Sequence, residues 1–325
     1  ARIQLFKIKP KIIALTGSVG KTSLRNAVYA VLKDRFKCKQ SIKANSETGI
    51  PLDILGLHLR NYSLLDWLRL SLLIPWRLLF NWQKYDYYIV ELGVDDPFPP
   101  KNMGYLLSFI HLDISIFLNV ALVHTMQFEK IISKNKKFSS VVSKQEFLKK
   151  AIAQEKGKII TGFGKDKIAI VNSDDPLVLA EARKSKAKIY YFGKKRGMRI
   201  KGYKISLKGT SFSYQYQGEK FTLKSSFLLP EYYSYTFAAA LLTGVVIGLS
   251  LEKTVRSLRK NFVLPPGRMS LFRGIKNTTI IDSSYNASKA STLGALDLLN
   301  KAGKEKQKIF VFGDMRELGN QAKIE

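Results

Sequence analysis

Apolar positions recur along the chain with two different periods, which together predict alternating strands and helices. Residues 11–15 (KIIAL) form a short apolar run typical of a buried strand. Over residues 21–32 the apolar positions follow the three- and four-residue spacing of one helix face. A long helix is predicted near 142–154. Further strands are predicted at 86–92, 113–118, 168–172 and 189–192. This alternation is typical of an α/β fold with a mainly parallel sheet and helices on both faces.

The pattern changes after residue 198. Residues 198–229 form short runs of alternating polar and apolar positions separated by KGT and QGE, which predicts antiparallel hairpins. Two helices are predicted next, at 233–247 and 251–261. The sequence PPG at 265–267 then interrupts the chain, and a new strand, helix and strand are predicted at 278–282, 288–300 and 308–312. The chain is therefore divided into two predicted domains, residues 1–263 and 264–325.

The most apolar stretch of the chain, residues 63–82, contains all three tryptophans. A membrane-spanning helix is disfavoured there because Asp66, Arg69 and Arg77 would be costly in a bilayer. Pro75 predicts that the stretch forms two amphipathic helices instead. Packing against the protein core is the favoured role for them, and a peripheral contact with a membrane surface stays open.

Charge and cysteine content restrict the environment and the partners. The 325-residue chain carries a formal net charge of +29, which attracts nucleic acid, anionic lipid and phosphorylated substrates. The basic residues are spread along the chain, so a solvated surface is the simplest reading and nucleic acid is a disfavoured partner. The single cysteine, Cys38, and the absence of a signal-like segment predict a cytoplasmic protein.

A glycine-rich loop carries the clearest chemical signal. The sequence TGSVGKTS follows the first predicted strand directly and opens the first predicted helix, as a phosphate-binding loop does. Gly17 and Gly20 allow the sharp turn that directs backbone amides inward. Lys21 supplies a cation for terminal phosphates, and either Thr22 or Ser23 supplies a hydroxyl for magnesium. The loop therefore predicts nucleotide binding.

Further motifs follow this loop in a fixed order. They are NSETGIPL at 45–52, VELGVDDP at 90–97, NVALVH at 119–124, SKQE at 143–146, IVNSDDP at 170–176, Gly267-Arg268, DSSYNAS at 282–288 and GDMRELG at 313–319. Together with the loop they resemble the Mur ligase family over about residues 11–319. The resemblance implies the central ATP-binding domain of that family in residues 1–263 and the start of a Rossmann-like ligase domain in residues 264–325.

The activity implied by this resemblance is ATP-dependent formation of an amide bond in peptidoglycan precursor synthesis. YNAS and GDMRELG are typical of the branch that joins D-alanyl-D-alanine to UDP-N-acetylmuramoyl tripeptide. In that reaction the substrate carboxylate attacks the γ-phosphate of ATP, and the amine then displaces phosphate from the acyl phosphate. ATP and Mg²⁺ are the implied cofactors, and the muramoyl peptide and the dipeptide are the implied partners of a monomeric enzyme.

The resemblance also implies site residues. The implied nucleotide-binding residues are Thr16, Gly17, Ser18, Val19, Gly20, Lys21, Thr22, Ser23, Asn172, Asp282, Tyr285 and Asn286. The implied metal ligands are Thr22, Glu91, His124 and Lys144, with Lys144 carbamylated because an ammonium group cannot bind a cation. The implied catalytic residues are Lys21, Lys144, His124 and Arg268. Taken singly, a histidine, a helical lysine or a glutamate at a strand end has a plainer structural role, and only their order relative to the loop favours the site.

Some positions differ from the family pattern. Phe237 and Tyr233 stand where the family has an asparagine and a histidine near adenine. The family's UDP-binding domain is expected to be absent before residue 11, and its C-terminal domain to be incomplete after residue 319. If the chain is trimmed, activity is expected of the longer protein.

Two other functions remain open. One is amide ligation of another type, as in folylpolyglutamate or cyanophycin synthetases. The other is a basic ATP-binding module that docks on membrane or nucleic acid without ligase activity, which the +29 charge favours.

Overall fold

A nine-stranded sheet with helices on both faces forms the centre of the protein. The computed structural model describes residues 1–123, 125–132, 138–264, 267–285, 287–302 and 307–313. In these residues the strands of the sheet are β1 (Lys11–Thr16), β2 (Cys38–Gln40), β3 (Tyr87–Glu91), β4 (Ile114–Phe117), β5 (Ile168–Asn172), β6 (Lys188–Gly193), β7 (Met198–Ser206), β8 (Gly209–Tyr216) and β9 (Glu219–Ser225).

The strand order is β2-β3-β1-β4-β5-β6-β7-β8-β9. All pairs from β2 to β7 are parallel, whereas β8 pairs antiparallel with both β7 and β9. The predicted parallel sheet and the predicted hairpins are both confirmed. Because β1 lies between β3 and β4, the carboxyl ends of these three strands meet at one edge of the sheet.

The helices form a layer on each face of the sheet. Their bounds are α1 (Arg2–Ile8), α2 (Lys21–Leu32), α3 (Gly49–Ile54), α4 (Leu64–Phe80), α5 (Met103–Phe109), α6 (Thr125–Phe128), α7 (Val141–Thr161), α8 (Pro176–Ala182), α9 (Tyr233–Val246), α10 (Leu251–Asn261) and α11 (Lys289–Ala302). Alternate residues of β1 point to opposite layers. Ile13 and Leu15 pack with α2, α9 and α10, whereas Ile12 and Ala14 pack with α5, α7 and α8.

Several elements have the predicted bounds, and one helix is longer than predicted. The structure confirms the helices at 21–32 and 251–261 and the strand at 168–172. Helix α7, predicted to end near residue 154, continues to Thr161. Its last two turns begin with the polar sequence EKGK. This polar run makes the apolar face hard to recognise in the sequence, although Ile152, Ile159 and Ile160 continue it. Tertiary packing stabilises this extension, because both isoleucines of the last turns are buried.

The prediction of two helices broken at Pro75 is wrong, because α4 passes through this proline as one helix. A proline removes the hydrogen bond to the carbonyl four residues earlier, here that of Ser71. Both residues are exposed, so water can bind the freed carbonyl oxygen. The predicted core role is confirmed for one face of α4 only. Buried Leu70 and the half-buried Leu73, Ile74 and Leu78 pack in a small apolar cluster beside α3.

The region after residue 264 forms a small separate sheet. Strand β10 (Ser270–Arg273) pairs antiparallel with β11 (Thr279–Asp282), and α11 packs on β7. The strand predicted at 308–312 is absent from residues 307–313, which the structure describes without regular secondary structure. A strand requires a neighbour for its backbone hydrogen bonds, and the described residues place none beside this apolar run. Residues 314–319 of the GDMRELG motif lie outside the described residues.

Candidate phosphate-binding site

The glycine-rich loop connects β1 to α2 at the edge where β1, β3 and β4 end. Gly20 precedes α2 with a φ of 87°, in the left-handed region that favours glycine. A Cβ atom on Gly17 would lie 3.1 Å from Cβ of Leu118, at the end of β4. The Oγ1 atom of Thr16 donates a hydrogen bond of 3.1 Å to the carbonyl oxygen of Leu92. The turn and its close approach to the neighbouring strands both require these glycines.

Asn119 holds the loop in position. Its Oδ1 atom accepts hydrogen bonds from the backbone amides of Ser18 and Val19, at 3.0 and 2.9 Å. Its Nδ2 atom donates to the carbonyl oxygen of Val19 at 2.9 Å. The sequence placed Asn119 in the NVALVH motif but gave it no role. Two loop amides therefore point to a side chain at the end of β4, which orders the loop.

The two hydroxyl groups after Lys21 have different surroundings. The Oγ1 atom of Thr22 donates a hydrogen bond of 3.0 Å to Oε2 of Glu91 at the end of β3. The Oγ atom of Ser23 is buried and lies 3.0 Å from the hydroxyl of Tyr233 on α9. The sequence left both hydroxyls open as metal ligands. The structure places Thr22 beside a carboxylate and Ser23 in the core.

Glu91 is a buried carboxylate with a guanidinium group nearby. Nη1 of Arg25, one turn after Thr22, lies 3.9 Å from Oε2 of Glu91. Burial lowers the pKa of Arg25, and the negative charge of Glu91 opposes that change. The Arg25 Nε atom is buried and has no hydrogen-bond partner among the described residues. Arg25 is also affected by the positive charge of Arg268 and the negative charge of Asp53, so cations and carboxylates are mixed at this edge of the sheet.

A lysine that the sequence analysis did not select lies in the same region. Lys156 on α7 is 1% exposed, although it is charged in its ordinary state. Burial, with the nearby charge of Lys21, lowers its pKa to about 7 against the opposing effect of Asp95, Glu91 and Glu155. Lys156 therefore lies close enough to the phosphate loop and to Glu91 to sense their charges.

The signal for Lys156 is present in the sequence. Leu148, Ile152, Lys156 and Ile160 follow one another at four-residue spacing, so the lysine occupies a position on the apolar face of α7. The predicted end of the helix at residue 154 removed this position from consideration. A lysine on a buried helix face either has charged partners or loses its proton readily, and both conditions hold here.

Of the other predicted metal ligands, the structure describes only Lys144. Nζ of Lys144 lies 2.7 Å from Oε1 of Glu129, so this lysine is paired with a glutamate other than Glu91. His124 lies outside the described residues. Among the described residues there is no group of three or more His, Cys, Asp or Glu side chains with the spacing of a metal site.

Of the residues after position 264 that were predicted to contact nucleotide, two lie near the phosphate loop and Asp282 has another partner. The guanidinium carbon of Arg268 is 4.6 Å from the ring centroid of Tyr285. The charge of Arg268 also lowers the pKa of Arg25, after burial and the opposing effect of Glu91. Arg268 and Tyr285 are thus near the first turns of α2. The side chain of Asp282 instead accepts the backbone amide of Ser284 at 2.9 Å.

Of three further predicted positions, the structure describes two, and both contact neighbouring parts of the protein. Nδ2 of Asn172 donates to the carbonyl oxygen of Leu118 at 2.9 Å, and its Oδ1 accepts the backbone amide of Asp174. Phe237, where the family has an adenine-side asparagine, is buried in an aromatic cluster with Tyr233. Asn286 lies outside the described residues. Asn172 therefore joins two strand ends, and Phe237 packs in the core.

Comparison with known proteins gives a consistent result. The model of the Mur ligase middle domain matches residues 146–243. The UDP-N-acetylmuramoyl-tripeptide–D-alanyl-D-alanine ligase of Haemophilus influenzae is 24% identical over 330 residues, which cover 97% of this chain and 60% of the relative. The chain thus spans about 60% of the length of the curated relatives that it matches.

Solved structures show the same fold. MurF of Thermotoga maritima in complex with ADP superposes with a TM-score of 0.74 at 21% identity, covering 99% of this chain and 64% of that chain. Folylpolyglutamate synthase of Mycobacterium tuberculosis, complexed with ADP and AMPPCP, gives a TM-score of 0.60 at 16% identity, covering 92% and 70%. The predicted resemblance is confirmed: residues 146–243 match the Mur ligase middle domain, and the chain shares the fold of the MurF structure.

Proposed function

We propose that this chain provides the ATP site of a MurF-type ligase, which joins D-alanyl-D-alanine to UDP-N-acetylmuramoyl tripeptide. The observation that carries the proposal is the ordered loop at the end of β1, where Thr22 contacts Glu91 and Arg25 lies beside the pair. The names of the relatives supply the reaction. The higher TM-score of the MurF structure favours this reaction over folylpolyglutamate synthesis.

The residues present fit a nucleotide with magnesium. Glycines at positions 17 and 20 leave space that a Cβ atom would fill, so phosphate groups can approach the backbone closely. Lys21 would neutralise the terminal phosphates. Thr22 and Glu91 are hard oxygen donors of the kind that magnesium prefers, and they would hold the ion. A bound magnesium ion would neutralise charge on the phosphates during transfer.

The chain's own contribution to the reaction is positioning and charge. The substrate carboxylate would attack the γ-phosphate, forming an acyl phosphate and releasing ADP. The amine of the dipeptide would then attack the acyl carbon, and phosphate would leave. Arg268, near Arg25 in the structure, would supply positive charge to the phosphate from the second domain. In a site from which water is excluded, such fixed charges account for most of the rate.

We propose Lys156 in place of Lys144 as the carbamylated lysine. Its neutral amine can attack the carbon of CO₂, forming an N–C bond and releasing one proton, to give an anionic carbamate. A pKa of about 7 keeps a large share of the amine neutral at physiological pH. The positive charge of Lys21 would favour the negative charge of the product, whereas Asp95, Glu91 and Glu155 would oppose it. Lys144, by contrast, forms an ion pair with Glu129 at 2.7 Å.

Formation of the carbamate can be tested by the stability of the protein, without an activity assay. Bicarbonate should raise the urea midpoint of the parent protein near pH 8, because CO₂ that reacts with the neutral amine of the folded state stabilises that state by mass action. A Lys156→Met variant should show no such rise. An equal rise in both proteins would remove Lys156 from this role.

The ligase proposal is tested by phosphate release from ATP and magnesium, followed by mass spectrometry of the product. We expect release to require both the muramoyl tripeptide and D-alanyl-D-alanine. Lys21→Met should abolish it, whereas Lys33→Met, at the exposed far end of the same helix, should leave it unchanged. Phosphate release that ignores both substrates, measured in the full-length protein, would contradict the ligase reaction and favour an ATP-binding module.

Other properties remain predictions. These are the division into residues 1–263 and 264–325, the monomeric state and the cytoplasmic location.

A further inference from the structure

Helix α4 presents a continuous apolar stripe to the outside of the protein. Its exposed apolar residues are Leu64, Leu65, Trp67, Leu68, Leu72, Trp76, Leu79 and Phe80. At about 100° per residue, Leu65, Leu68, Leu72, Trp76 and Leu79 all lie roughly 160–240° around the helix from the buried Leu70. The stripe therefore points away from the core, and its exposure is a property of one whole helix face.

Helix α1 is attached to the end of α4 and extends this surface. Nε2 of Gln4 donates to the carbonyl oxygen of Asn81 at 2.8 Å, and Nζ of Lys7 donates to that of Leu78 at 2.9 Å. Nζ of Lys7 also lies 3.6 Å from the ring centroid of Trp82. Phe6 on α1 is exposed as well. Residues 2–9 and 63–84 are called the α1–α4 surface below.

The charge of the α1–α4 surface is almost entirely positive. Its exposed basic residues are Arg2, Lys9, Arg77 and Lys84. The one acidic residue in these two segments is Asp66, which is buried and paired with Arg69 at 2.7 Å. A protein partner recognised by apolar contact alone would not require this bias. Basic residues flanking an apolar stripe are the combination that binds anionic lipid.

The aromatic content points to the same occupant. All three tryptophans of the chain, Trp67, Trp76 and Trp82, are exposed on this surface. Tryptophan is favoured at the boundary between lipid headgroups and acyl chains, because its ring is apolar and its N–H can bond to water. No helix in the described part of the chain is long and apolar enough to cross a membrane. A helix of this kind would lie in the plane of the bilayer surface.

We propose that the α1–α4 surface binds an anionic lipid bilayer, with α4 lying flat at the level of the headgroups. The apolar stripe would enter the acyl boundary, and Lys84, together with Lys9 beside the exposed ring of Phe6, would contact lipid phosphates. This binding is independent of the ligase reaction, because it uses no residue of the phosphate-binding site.

Intrinsic fluorescence tests the proposal directly, since every tryptophan of the chain belongs to this surface. Vesicles of phosphatidylcholine with phosphatidylglycerol should shift tryptophan emission to shorter wavelength and should pellet the protein. Vesicles of phosphatidylcholine alone should do so much less. Heparin, a soluble polyanion, should bind the basic chain without shifting the emission. An equal shift with heparin, or no shift with anionic vesicles, would overturn the proposal.

Paired variants separate the apolar contribution from the charge. Leu68→Glu with Leu72→Glu should weaken vesicle binding roughly tenfold or more. Leu207→Glu, at an exposed leucine outside this surface, should leave binding unchanged.

The charge variants follow the same design. Lys9→Gln with Lys84→Gln should weaken binding about fivefold for each charge. Lys220→Gln with Lys224→Gln, two exposed lysines of β9, should change binding little. Circular dichroism checks that each variant is folded. A parent that dimerises in solution, loses the dimer in Leu68→Glu with Leu72→Glu, and ignores vesicles would assign the surface to a second copy of the chain and refute lipid binding.

Discussion

Replacing Lys156 by methionine should stabilise the protein, and the stabilisation should depend on pH. Methionine matches the length of the lysine side chain and removes only the ionisable group. In the folded protein burial lowers the pKa of Lys156 from its ordinary 10.5 to about 7. In the unfolded chain the lysine is solvated and keeps its ordinary pKa.

The sign follows from the protons bound in each state. Between pH 7 and 10.5 the unfolded chain holds a proton on Lys156 that the folded protein has released, so the stability of the parent rises with pH in this window. Below pH 7 both states are charged, and the folded state bears the full cost of the buried charge. At about 1.4 kcal/mol for each tenfold change in proton affinity, that cost is about 5 kcal/mol. Methionine avoids it at every pH.

The assay is urea unfolding of both proteins from pH 6 to pH 10 in buffers depleted of CO₂, so that no carbamate forms. The variant should exceed the parent by up to about 5 kcal/mol at pH 6. The difference should shrink as pH rises, approaching zero near 10.5. Comparing the two proteins cancels the contributions of all other titrating groups.

Lys150→Met is the matched control, because Lys150 is exposed on the same helix. Its effect should stay within about 0.5 kcal/mol and should not vary with pH. A Lys156→Met curve that runs parallel to the parent curve would refute the reasoning, because it would mean that Lys156 has the same pKa folded and unfolded.

Two other substitutions test the packing around the site. Asn119→Ala removes a side chain that bonds two amides and one carbonyl of the phosphate loop, and it should lower the free energy of unfolding by about 1–3 kcal/mol in urea. No measurable loss would mean that water satisfies these loop groups equally well. Gly157→Ala should cost about 1–3 kcal/mol, because the new Cβ would lie 2.6 Å from Cγ of Glu181 on the next helix. Gly162→Ala is its control, since nothing lies within 4 Å of the added atom, and an equal loss there would disprove the steric explanation.

Local sequence patterns were sufficient for the order and type of most elements. The run at 168–172 and the helical spacing at 251–261 gave the observed bounds because each apolar face is complete within its own segment. The phosphate loop was equally clear, because its glycines and Lys21 act through backbone geometry close in sequence. The candidate phosphate-binding loop was therefore predictable before any tertiary contact was known.

Residues that act through distant neighbours were not predictable in this way. Thr22 and Ser23 are adjacent and chemically similar, yet one contacts Glu91 and the other contacts Tyr233, 210 residues away. Lys156 lies near the loop only because α7 packs across β1 and β4. The strand predicted at 308–312 is wrong for a related reason. Its apolar pattern is present, but no strand lies beside it among the described residues to accept its backbone hydrogen bonds.

The sequence by itself determined the parallel α/β framework, the phosphate loop and the positive charge, because these depend on periodicity, short motifs and composition. Tertiary structure decided which hydroxyl faces Glu91, which lysine is buried beside Lys21, and whether the apolar stretch at 63–82 is covered. An apolar pattern records that a helix has an apolar face, and only the packing of the whole chain determines what that face contacts. For α4 the packing leaves the face open to the surroundings of the protein.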